Sequence, residues 1–215
     1  MVDKKIISER LFANERDLLP PACGLIAGVD EAGRGPLAGP VVAAAVVLPL
    51  GIPIEGVFDS KALTPIQREK VFIEILSHAI DIGIGIADQD LIDRINILQG
   101  TIQAMREALA SLVVQPEYIL IDALSIPNMD SIPQKAIIKG DQKCYSIAAA
   151  SIVAKVIRDR MMKRLHLKYP AYNFVQNKGY GTKEHIETLA RIGPCPLHRR
   201  TFKRVKEFCA VKNVS

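Results

Sequence analysis

Acidic residues directly follow short apolar runs at three places in the chain. These acids are Asp30, Glu31, Asp122 and Asp141. An acid at the end of a buried strand lies at the rim of a sheet, where loops usually build functional sites. Any one of the aspartates could instead cap the next helix or turn, but three such positions together favour a shared site.

Carboxylates that converge in a small volume repel one another and raise each other's pKa unless a cation neutralises them. His and Cys are missing from these positions, so all-oxygen ligation favours Mg²⁺ or Mn²⁺ over Zn²⁺. Such a cluster can hold two divalent ions about 4 Å apart and drive in-line displacement at a phosphodiester. The acids therefore indicate a two-ion site for phosphodiester hydrolysis.

The glycine-rich segment GVDEAGRGPLAG, residues 28–39, contains the first two acids. It is not a Walker loop, because no Lys-Ser/Thr pair follows its second glycine. Nor is it a dinucleotide fingerprint, because prolines and a β-branched run follow where a helix would begin. Gly33 and Gly35 allow the backbone to approach a ligand while Arg34 supplies charge. Alternatively, Arg34 is an ordinary turn residue paired with a nearby acid.

Basic residues are concentrated in one part of the chain. The net charge is +5, but residues 155–206 alone carry 14 Lys and Arg against three acids. The rest of the chain is therefore net acidic. The basic segment is either a solvated helical face or a surface for a polyanion, and a metal site in the acidic part would favour nucleic acid.

Five short apolar runs predict the strands of an α/β sheet. They cover residues 24–29, 41–48, 82–87, 118–121 and 136–138. Helical spacing predicts a helix over residues 97–113, and a longer helix-compatible stretch extends from 141 to about 167. Thr182 is a good N-cap for a helix over 182–192. Residues 1–22 are predicted to form a polar, helical lead-in that ends at a pair of prolines.

The chain shows no sign of membrane insertion or export. Its longest uncharged stretch, residues 35–54, has 20 residues and could span a bilayer by length. Its four prolines break any helix there. The N-terminus lacks the apolar run of a signal peptide, and the four scattered cysteines are typical of reduced thiols. These features predict a cytoplasmic protein without membrane contact.

Six motifs occur in the order that is typical of one enzyme family. They are DEAGRGPLAGPVVAAAVVLP, DSKALT, IIKGD, SIAAASIVAKVIRDR, NKGYGT and HRRTF. Over roughly residues 24–205 the sequence resembles bacterial ribonuclease HII. The resemblance implies an α/β, ribonuclease H-like fold, with a mixed five-stranded sheet flanked by helices and a C-terminal helical appendage. We accordingly predict a lead-in at 1–22, a catalytic domain at 23–168 and a basic substrate-binding region at 169–215.

The resemblance also assigns roles to individual residues. Asp30, Glu31, Asp122 and Asp141 would be the catalytic carboxylates that hold two divalent ions, Mg²⁺ or Mn²⁺. Junction recognition between DNA and a ribonucleotide would fall to Gly33, Arg34, Gly35 and Tyr180. Weaker expectations are phosphate contacts by Lys61, Ser146 and Ser151 and strand binding by His198 and Arg199. The alternatives are a solvated loop lysine, small residues that allow tight helix packing, and a surface cluster with no partner.

The implied activity is metal-dependent hydrolysis of RNA in RNA–DNA hybrids, and incision 5′ to single ribonucleotides in duplex DNA. Cleavage would leave a 3′-hydroxyl and a 5′-phosphate, and the enzyme is expected to be a monomer. Ribonuclease HIII is the nearer alternative and would need a further N-terminal domain. A noncatalytic nucleic-acid-binding module and a small-molecule phosphatase are alternatives of other classes.

Asp159 competes with Asp141 for the role of fourth carboxylate. On one continuous helix the two residues would share a face but lie roughly 27 Å apart, at 1.5 Å per residue. Asp141 follows a strand beside the other acids, whereas Asp159 is flanked by two arginines. We therefore predict a structural role for Asp159. Two positions depart from the family pattern, Asn177 before KGY and Ala123-Leu124 after the third acid.

Overall fold

The computed structural model describes residues 4–20, 23–49, 51 and 53–209. The strands are β1 Ile26–Ala32, β2 Val41–Val47, β3 Asp81–Ala87, β4 Tyr118–Asp122 and β5 Gln134–Ile137. The helices are α1 Lys4–Asp17, α2 Pro65–His78, α3 Gln89–Ile95, α4 Ile97–Ala110, α5 Tyr145–Lys168, α6 Phe174–Asn177, α7 Lys183–Ile192 and α8 Lys203–Cys209. Single 3₁₀ turns lie at Ser60–Ala62, Gly140–Gln142 and Pro170–Tyr172.

The five strands form one mixed sheet in the order β3-β2-β1-β4-β5. Strands β1, β2 and β3 pair antiparallel, whereas β4 lies parallel to both β1 and β5. The predicted fold class is confirmed. The first predicted strand was too short, because β1 continues through both acids to Ala32, which pairs with Val42. Its pairing with β4 stops earlier, at Val29, so the acids extend beyond the parallel part of the sheet.

Helices cover both faces of the sheet. Helix α5 lies against β1 and β2 on one face, and α4 lies against β2 and β3 on the other. All seven residues of β2 are buried, as its continuous apolar run predicts. A Cβ at Gly28 would lie 2.1 Å from the backbone carbonyl carbon of Ser146. Glycine at this position therefore allows α5 to lie directly on the strand that carries the acids.

The predicted long helix begins later than expected, at Tyr145. Lys139 adopts a left-handed backbone with φ of 57°, and residues 140–142 form a separate 3₁₀ turn. Asp141 therefore lies in the turn before α5, and Asp159 lies within α5. The Thr182 cap is confirmed, since its side chain accepts a hydrogen bond from the backbone N–H of His185.

Strand β3 forms one edge of the sheet, and α4 lies very close to it. A Cβ at Gly83 or Gly85 would come within 1.9 Å of a carbonyl oxygen of α4. Three alternate backbone N–H groups of β3 donate to side chains. Ile82 donates to Asp81, Ile84 to Ser111 at 3.0 Å and Ile86 to Glu107 at 3.4 Å.

The helices after α5 enclose a further small apolar core. Its members include Leu37, Met162, Phe174, Leu189 and Val205. Helix α1 lies against α5 and buries Leu11 in the main core. Residues 1–3, 21–22 and 210–215 of the predicted terminal segments, including Pro21, lie outside the described residues. Within the described ranges, no helix is both long and apolar enough to cross a membrane.

Candidate active site

A cleft lies where β1 and β4 end side by side. It is lined by Asp30, Glu31, Ala32, Gly33, Arg34, Gly35, Ser60, Lys61, Asp122, Ser151, Lys155 and Tyr180. Nine of these twelve were predicted as site residues. Ser60 and Lys155 were not, because nothing in their local sequence separates them from a turn serine and a solvated helix lysine.

Asp30 and Glu31 are adjacent in β1, and burial dominates the behaviour of both. Asp30 is only 5% exposed. Burial first, and then repulsion from Glu31 and Asp122, raises its pKa well above the ordinary value. Burial raises the pKa of Glu31 to about 6, against the opposing attraction of Arg34, whose guanidinium lies 3.5 Å away. The positive charge near Asp30 and Glu31 is therefore too small to offset the cost of burying their charged forms.

Asp122 and Asp141 are joined through a backbone contact. The N–H of Gly140 donates to Asp122 Oδ1 at 2.6 Å, which fixes the turn that carries Asp141. Asp141 is buried, and its Oδ2 lies 3.3 Å from Nζ of Lys61. Burial raises the pKa of Asp122. Burial opposes the charge of Lys61, but Asp141, Asp59 and Asp30 together outweigh this effect and the pKa of Lys61 rises.

The chemistry of these side chains fits a divalent cation. Glu31 Oε2 is buried and has no hydrogen-bond partner, which is costly for a carboxylate oxygen. All candidate donors are carboxylate oxygens, the ligands that Mg²⁺ and Mn²⁺ prefer. Among the residues described, no three acidic, His or Cys side chains are already closed around a metal position. The Lys61 ammonium beside Asp141 supplies the charge that a cation would supply.

The glycine-rich loop is held in a shape that only glycine fits at one position. Gly33 has a φ of 106°, and a Cβ there would lie 2.1 Å from Nε of Arg158. Arg34 lines the cleft and also pairs with Glu31, so the predicted pairing with a nearby acid is present and a ligand contact stays a prediction. A Cβ at Gly35 would lie 3.8 Å from the ring of Tyr180, which is 45% exposed. The loop and Tyr180 therefore meet across the cleft.

Arg199 holds this loop through hydrogen bonds to its backbone. Its side chain is 0% exposed and donates to the carbonyl oxygens of Gly33, Arg34, Pro36 and Gly39 at 2.6–3.1 Å. The predicted contact between Arg199 and a nucleic-acid strand is thus wrong, because every N–H group of this guanidinium donates to a carbonyl oxygen inside the protein. This role cannot be predicted from the sequence, since every residue has a backbone carbonyl and the residue types do not show which carbonyls Arg199 binds.

Arg158 is a second buried arginine that sequence reasoning missed. From α5 it donates to the carbonyl oxygens of Pro40, Ala38 and Lys178. It therefore ties the glycine-rich loop to the loop that precedes Tyr180. Two cations of the basic segment, Arg158 and Arg199, therefore bind backbone carbonyl oxygens in the interior of the protein.

His198 is also buried, at 1% exposure. The predicted contact between His198 and a nucleic-acid strand is therefore wrong. Its Nε2 lies 2.9 Å from Nε2 of His185. The rings of Tyr172 and Phe174 pack against the pair. A sequence shows two histidines 13 positions apart, but not that they face one another in an aromatic pocket.

The histidine pair predicts a loss of stability in acid. Burial, and then His185, lowers the pKa of His198 from 6.5 to about 4. A histidine with a lowered folded-state pKa contributes stability that is complete above pH 6.5 and is lost as the pH falls toward 4. One pKa unit corresponds to about 1.4 kcal/mol. Between pH 6 and 4.5, the free energy of unfolding measured with urea should therefore fall more steeply for wild type than for His198→Gln. Parallel profiles would contradict this expectation.

The two predicted serines differ in position. Ser146 lies outside the cleft, and both its hydroxyl and its backbone N–H donate to Glu15 Oε2 at 2.7 Å. Its predicted phosphate contact is therefore corrected, because this buried pair connects α1 to α5. Ser151 does line the cleft, and its hydroxyl lies 3.0 Å from that of Ser60. Its hydrogen bond to Asp30 opposes the rise in that residue's pKa.

Asp159 is outside the cleft, with basic partners of its own. Its carboxylate lies 2.8 Å from Nζ of Lys155 and 3.8 Å from Arg68. This geometry agrees with a structural role, although the partners are not the flanking arginines of the sequence.

Ala123, one of the departures from the family pattern, has a left-handed backbone with φ of 55°. This conformation costs a residue with a Cβ about 1–2 kcal/mol, which exceeds the entropy cost of about 0.4–1 kcal/mol that glycine adds. We expect Ala123→Gly to raise the free energy of unfolding by about 0.5–1 kcal/mol. In the same denaturation assay, the control Ala13→Gly in the middle of α1 should be destabilising by a similar amount. Destabilisation by both changes would exclude strain at Ala123.

The sequence was compared with known proteins. Residues 27–205 match the family model described as Ribonuclease HII. The chain belongs to the ribonuclease HII family. A Ribonuclease HII from Geobacter metallireducens is 55% identical over 185 residues, which cover 86% of each chain. Ribonucleases HII are enzymes of the ribonuclease H class, so this chain is a nuclease that hydrolyses phosphodiester bonds.

Solved structures agree with the ribonuclease HII assignment. The crystal structure of ribonuclease H2 from Pyrococcus horikoshii matches with a TM-score of 0.69 and 30% identity, over 86% of this chain and 96% of that chain. The structure of Bst-RNase HIII in complex with Mn²⁺ matches with a TM-score of 0.67 and 19% identity. That match covers 89% of this chain and 71% of that one and shows a shared fold.

Proposed function

We propose that this ribonuclease cleaves the RNA strand of RNA–DNA hybrids and incises duplex DNA on the 5′ side of single embedded ribonucleotides. One observation carries the proposal. The cleft places buried carboxylates on one side and, on the other, a loop at Gly33–Gly35 whose backbone faces Tyr180. The first group suits phosphodiester hydrolysis, and the second suits recognition of a ribose next to deoxyribose.

We propose that Asp30, Glu31, Asp122 and Asp141 hold two divalent ions, Mg²⁺ or Mn²⁺. Bound there, the ions would activate the attacking water and stabilise the leaving 3′ oxygen. The unpartnered Oε2 of Glu31 and the raised pKa values of Asp30 and Asp122 support a cation at this position. The Mn²⁺ complex of Bst-RNase HIII provides a precedent on the same fold. Asp141 would exchange its contact with Lys61 for the ions.

The other residues of the cleft would position the substrate. Arg34 and Lys61 bring positive charge to the cleft and would contact phosphates beside the scissile bond. The close approach that Gly33 and Gly35 allow would let backbone groups reach the ribose 2′-hydroxyl, which distinguishes RNA from DNA. The exposed ring of Tyr180 would stack on the adjoining deoxyribose. Ser151 remains a candidate for a phosphate contact. Base identity should matter little, because phosphate contacts carry no sequence information.

The test uses a labelled DNA duplex with one ribonucleotide, incubated with Mg²⁺, Mn²⁺ or EDTA. Wild type should cut on the 5′ side of the ribonucleotide with either metal and not in EDTA. Asp141→Asn should lower the rate by about a hundredfold or more, because an amide is a weaker ligand than a carboxylate. The matched control, Asp159→Asn, should retain most of the activity, since Asp159 does not itself line the cleft, although its partner Lys155 does.

Other outcomes would overturn parts of the proposal. Cleavage of a long hybrid without incision at a single ribonucleotide would contradict the junction role of Arg34 and Tyr180. Binding of either substrate without metal-dependent cleavage of both would favour a noncatalytic module. A larger loss in Asp159→Asn than in Asp141→Asn would reassign the fourth carboxylate.

A further inference from the structure

A buried chain of hydrogen bonds connects the turn at residues 195–198 to the backbone of Tyr180. The N–H of Cys195 lies 3.0 Å from Nδ1 of His198. Nε2 of His198 lies 2.9 Å from Nε2 of His185, whose Nδ1 lies 2.8 Å from the carbonyl oxygen of Tyr180. The two histidines are 1% and 0% exposed, and no cleft residue other than Tyr180 belongs to this chain.

The Tyr180 end of this hydrogen-bond chain determines the tautomers of both neutral histidines. A carbonyl oxygen can only accept, so Nδ1 of His185 carries a proton. In the neutral ring Nε2 of His185 is then an acceptor, and Nε2 of His198 must donate to it. Nδ1 of His198 is left as an acceptor, which the Cys195 N–H requires because it can only donate. Every donor meets an acceptor, and the hydrogen bonds run in one direction from Cys195 to Tyr180.

Protonation of His185 would break this order. A second proton on His185 would place two N–H groups face to face at the 2.9 Å contact. A second proton on Nδ1 of His198 would face the N–H of Cys195, but the carbonyl oxygen of Cys195 lies 3.2 Å from this nitrogen and can accept the proton. Several groups pack around or act on the pair. They are Tyr172, Phe174, the thiol of Cys195, Glu184, which favours charge on His185, and Arg200, which disfavours charge on His198.

The carbonyl of Tyr180 has one further partner, the N–H of Thr182 at 2.8 Å. Tyr180 follows Gly179, whose φ is 85° and whose carbonyl accepts from Leu37 of the glycine-rich loop. The exposed ring of Tyr180 has no comparable anchor in the cleft, so its placement opposite Gly35 depends on how its backbone is held. The side chains of Arg158 and Asn177 bind the backbone of the two preceding residues, and His185 binds the backbone of Tyr180 itself.

We infer that His185, oriented by His198, is a positioning residue that sets Tyr180 for recognition of the ribonucleotide junction. The inference rests on the proposed function, since it concerns the same cleft. It predicts that loss of this hydrogen-bond chain lowers the cleavage of substrates whose recognition depends on Tyr180 more than the cleavage of substrates that do not depend on it.

The experiment is a double-mutant cycle between His185→Phe and Tyr180→Ala. The measurement is the ratio of kcat/KM on a duplex with a single ribonucleotide to kcat/KM on a continuous RNA–DNA hybrid. Each single change should lower this ratio by about tenfold, and the double variant should lower it no further. Independent effects that multiply to about a hundredfold would overturn the inference. An unchanged ratio in His185→Phe would overturn it as well.

A second variant separates positioning from folding. His185→Asn keeps a side-chain N–H near the place of Nδ1 and should restore most of the ratio, whereas His185→Gln places its amide near Nε2 and should not. Equal ratios for these two variants, at equal melting temperatures, would contradict the inference. The exposed His78→Asn is the matched control. If the wild-type protein cuts neither substrate, the proposed function is refuted. Thermal unfolding of the same variants would then still show whether the hydrogen-bond chain stabilises the fold.

Discussion

Asp30→Asn should abolish most of the activity and make the protein more stable. The activity should fall by about a thousandfold, because the change removes a central carboxylate from the proposed ion site. The free energy of unfolding should rise by about 1–2 kcal/mol at pH 7. Burial and two neighbouring acids raise the pKa of Asp30, so its charged form is costly in the folded protein. An amide keeps the acceptor for the N–H of Glu31 without that charge.

Two measurements on the same preparation check this expectation. Single-turnover cleavage in Mg²⁺ gives the activity, and urea unfolding without metal gives the stability. The exposed Asp130→Asn is the control and should change neither quantity. If Asp30→Asn were inactive and also less stable, the lost activity would reflect unfolding, and the electrostatic cost assigned to Asp30 would be wrong. Glu31→Gln should follow Asp30→Asn in direction, because burial also raises the pKa of Glu31.

Arg199→Met should be among the most destabilising single changes in the protein. The variant leaves the carbonyls of Gly33, Arg34, Pro36 and Gly39 without their donors in the interior. Unsatisfied buried polar groups cost about 1–3 kcal/mol each, and partial relaxation limits the total to about 3–5 kcal/mol. Burial, and then Arg158, lowers the pKa of Arg199 to about 9. The guanidinium is therefore still charged at pH 7 and binds the carbonyl oxygens as a cation.

Urea unfolding of Arg199→Met beside Arg200→Met provides the comparison. Arg200 is the next residue in the chain and is exposed, so its change should cost little. Arg199→Lys should recover only a fraction of the loss, because an ammonium cannot reproduce the planar fork that reaches these oxygens. A cost for Arg199→Met below about 1 kcal/mol would mean that water replaces the guanidinium, and that the loop does not depend on it.

Much of the fold was predictable because the apolar runs are continuous and clearly bounded. All five strands lie close to their predicted positions, and three of the four acids, Asp30, Glu31 and Asp122, line one cleft. Local rules also succeeded at Thr182, where the capping residue and the first turn are neighbours in sequence. The strand that carries Asp30 was too short in the prediction, because two consecutive acids end the apolar run although the strand pairing continues to Ala32.

The inward-facing cations and the histidine pair were not predictable from residue type. Arg199 binds backbone carbonyls about 160 positions earlier in the chain, and Lys61 meets Asp141 across 80 positions. A count of basic residues treats Arg158 and Arg199 as surface charge, although both are fully buried. The resemblance implies a phosphate contact for Ser146, and nothing local in the sequence indicates its glutamate partner on α1, 131 positions away. Such contacts depend on the tertiary fold and leave no local pattern.

The edge of the sheet at β3 has a consequence for association between copies of the protein. An open edge strand offers unpaired N–H groups to which a strand of another chain can add. In β3 the N–H groups of Ile82, Ile84 and Ile86 already donate to side chains of the same molecule. A second chain could extend the ladder only by displacing Ser111 and Glu107, which α4 holds against the edge. The two glycines that bring α4 close therefore also protect this edge of the sheet from edge-to-edge aggregation.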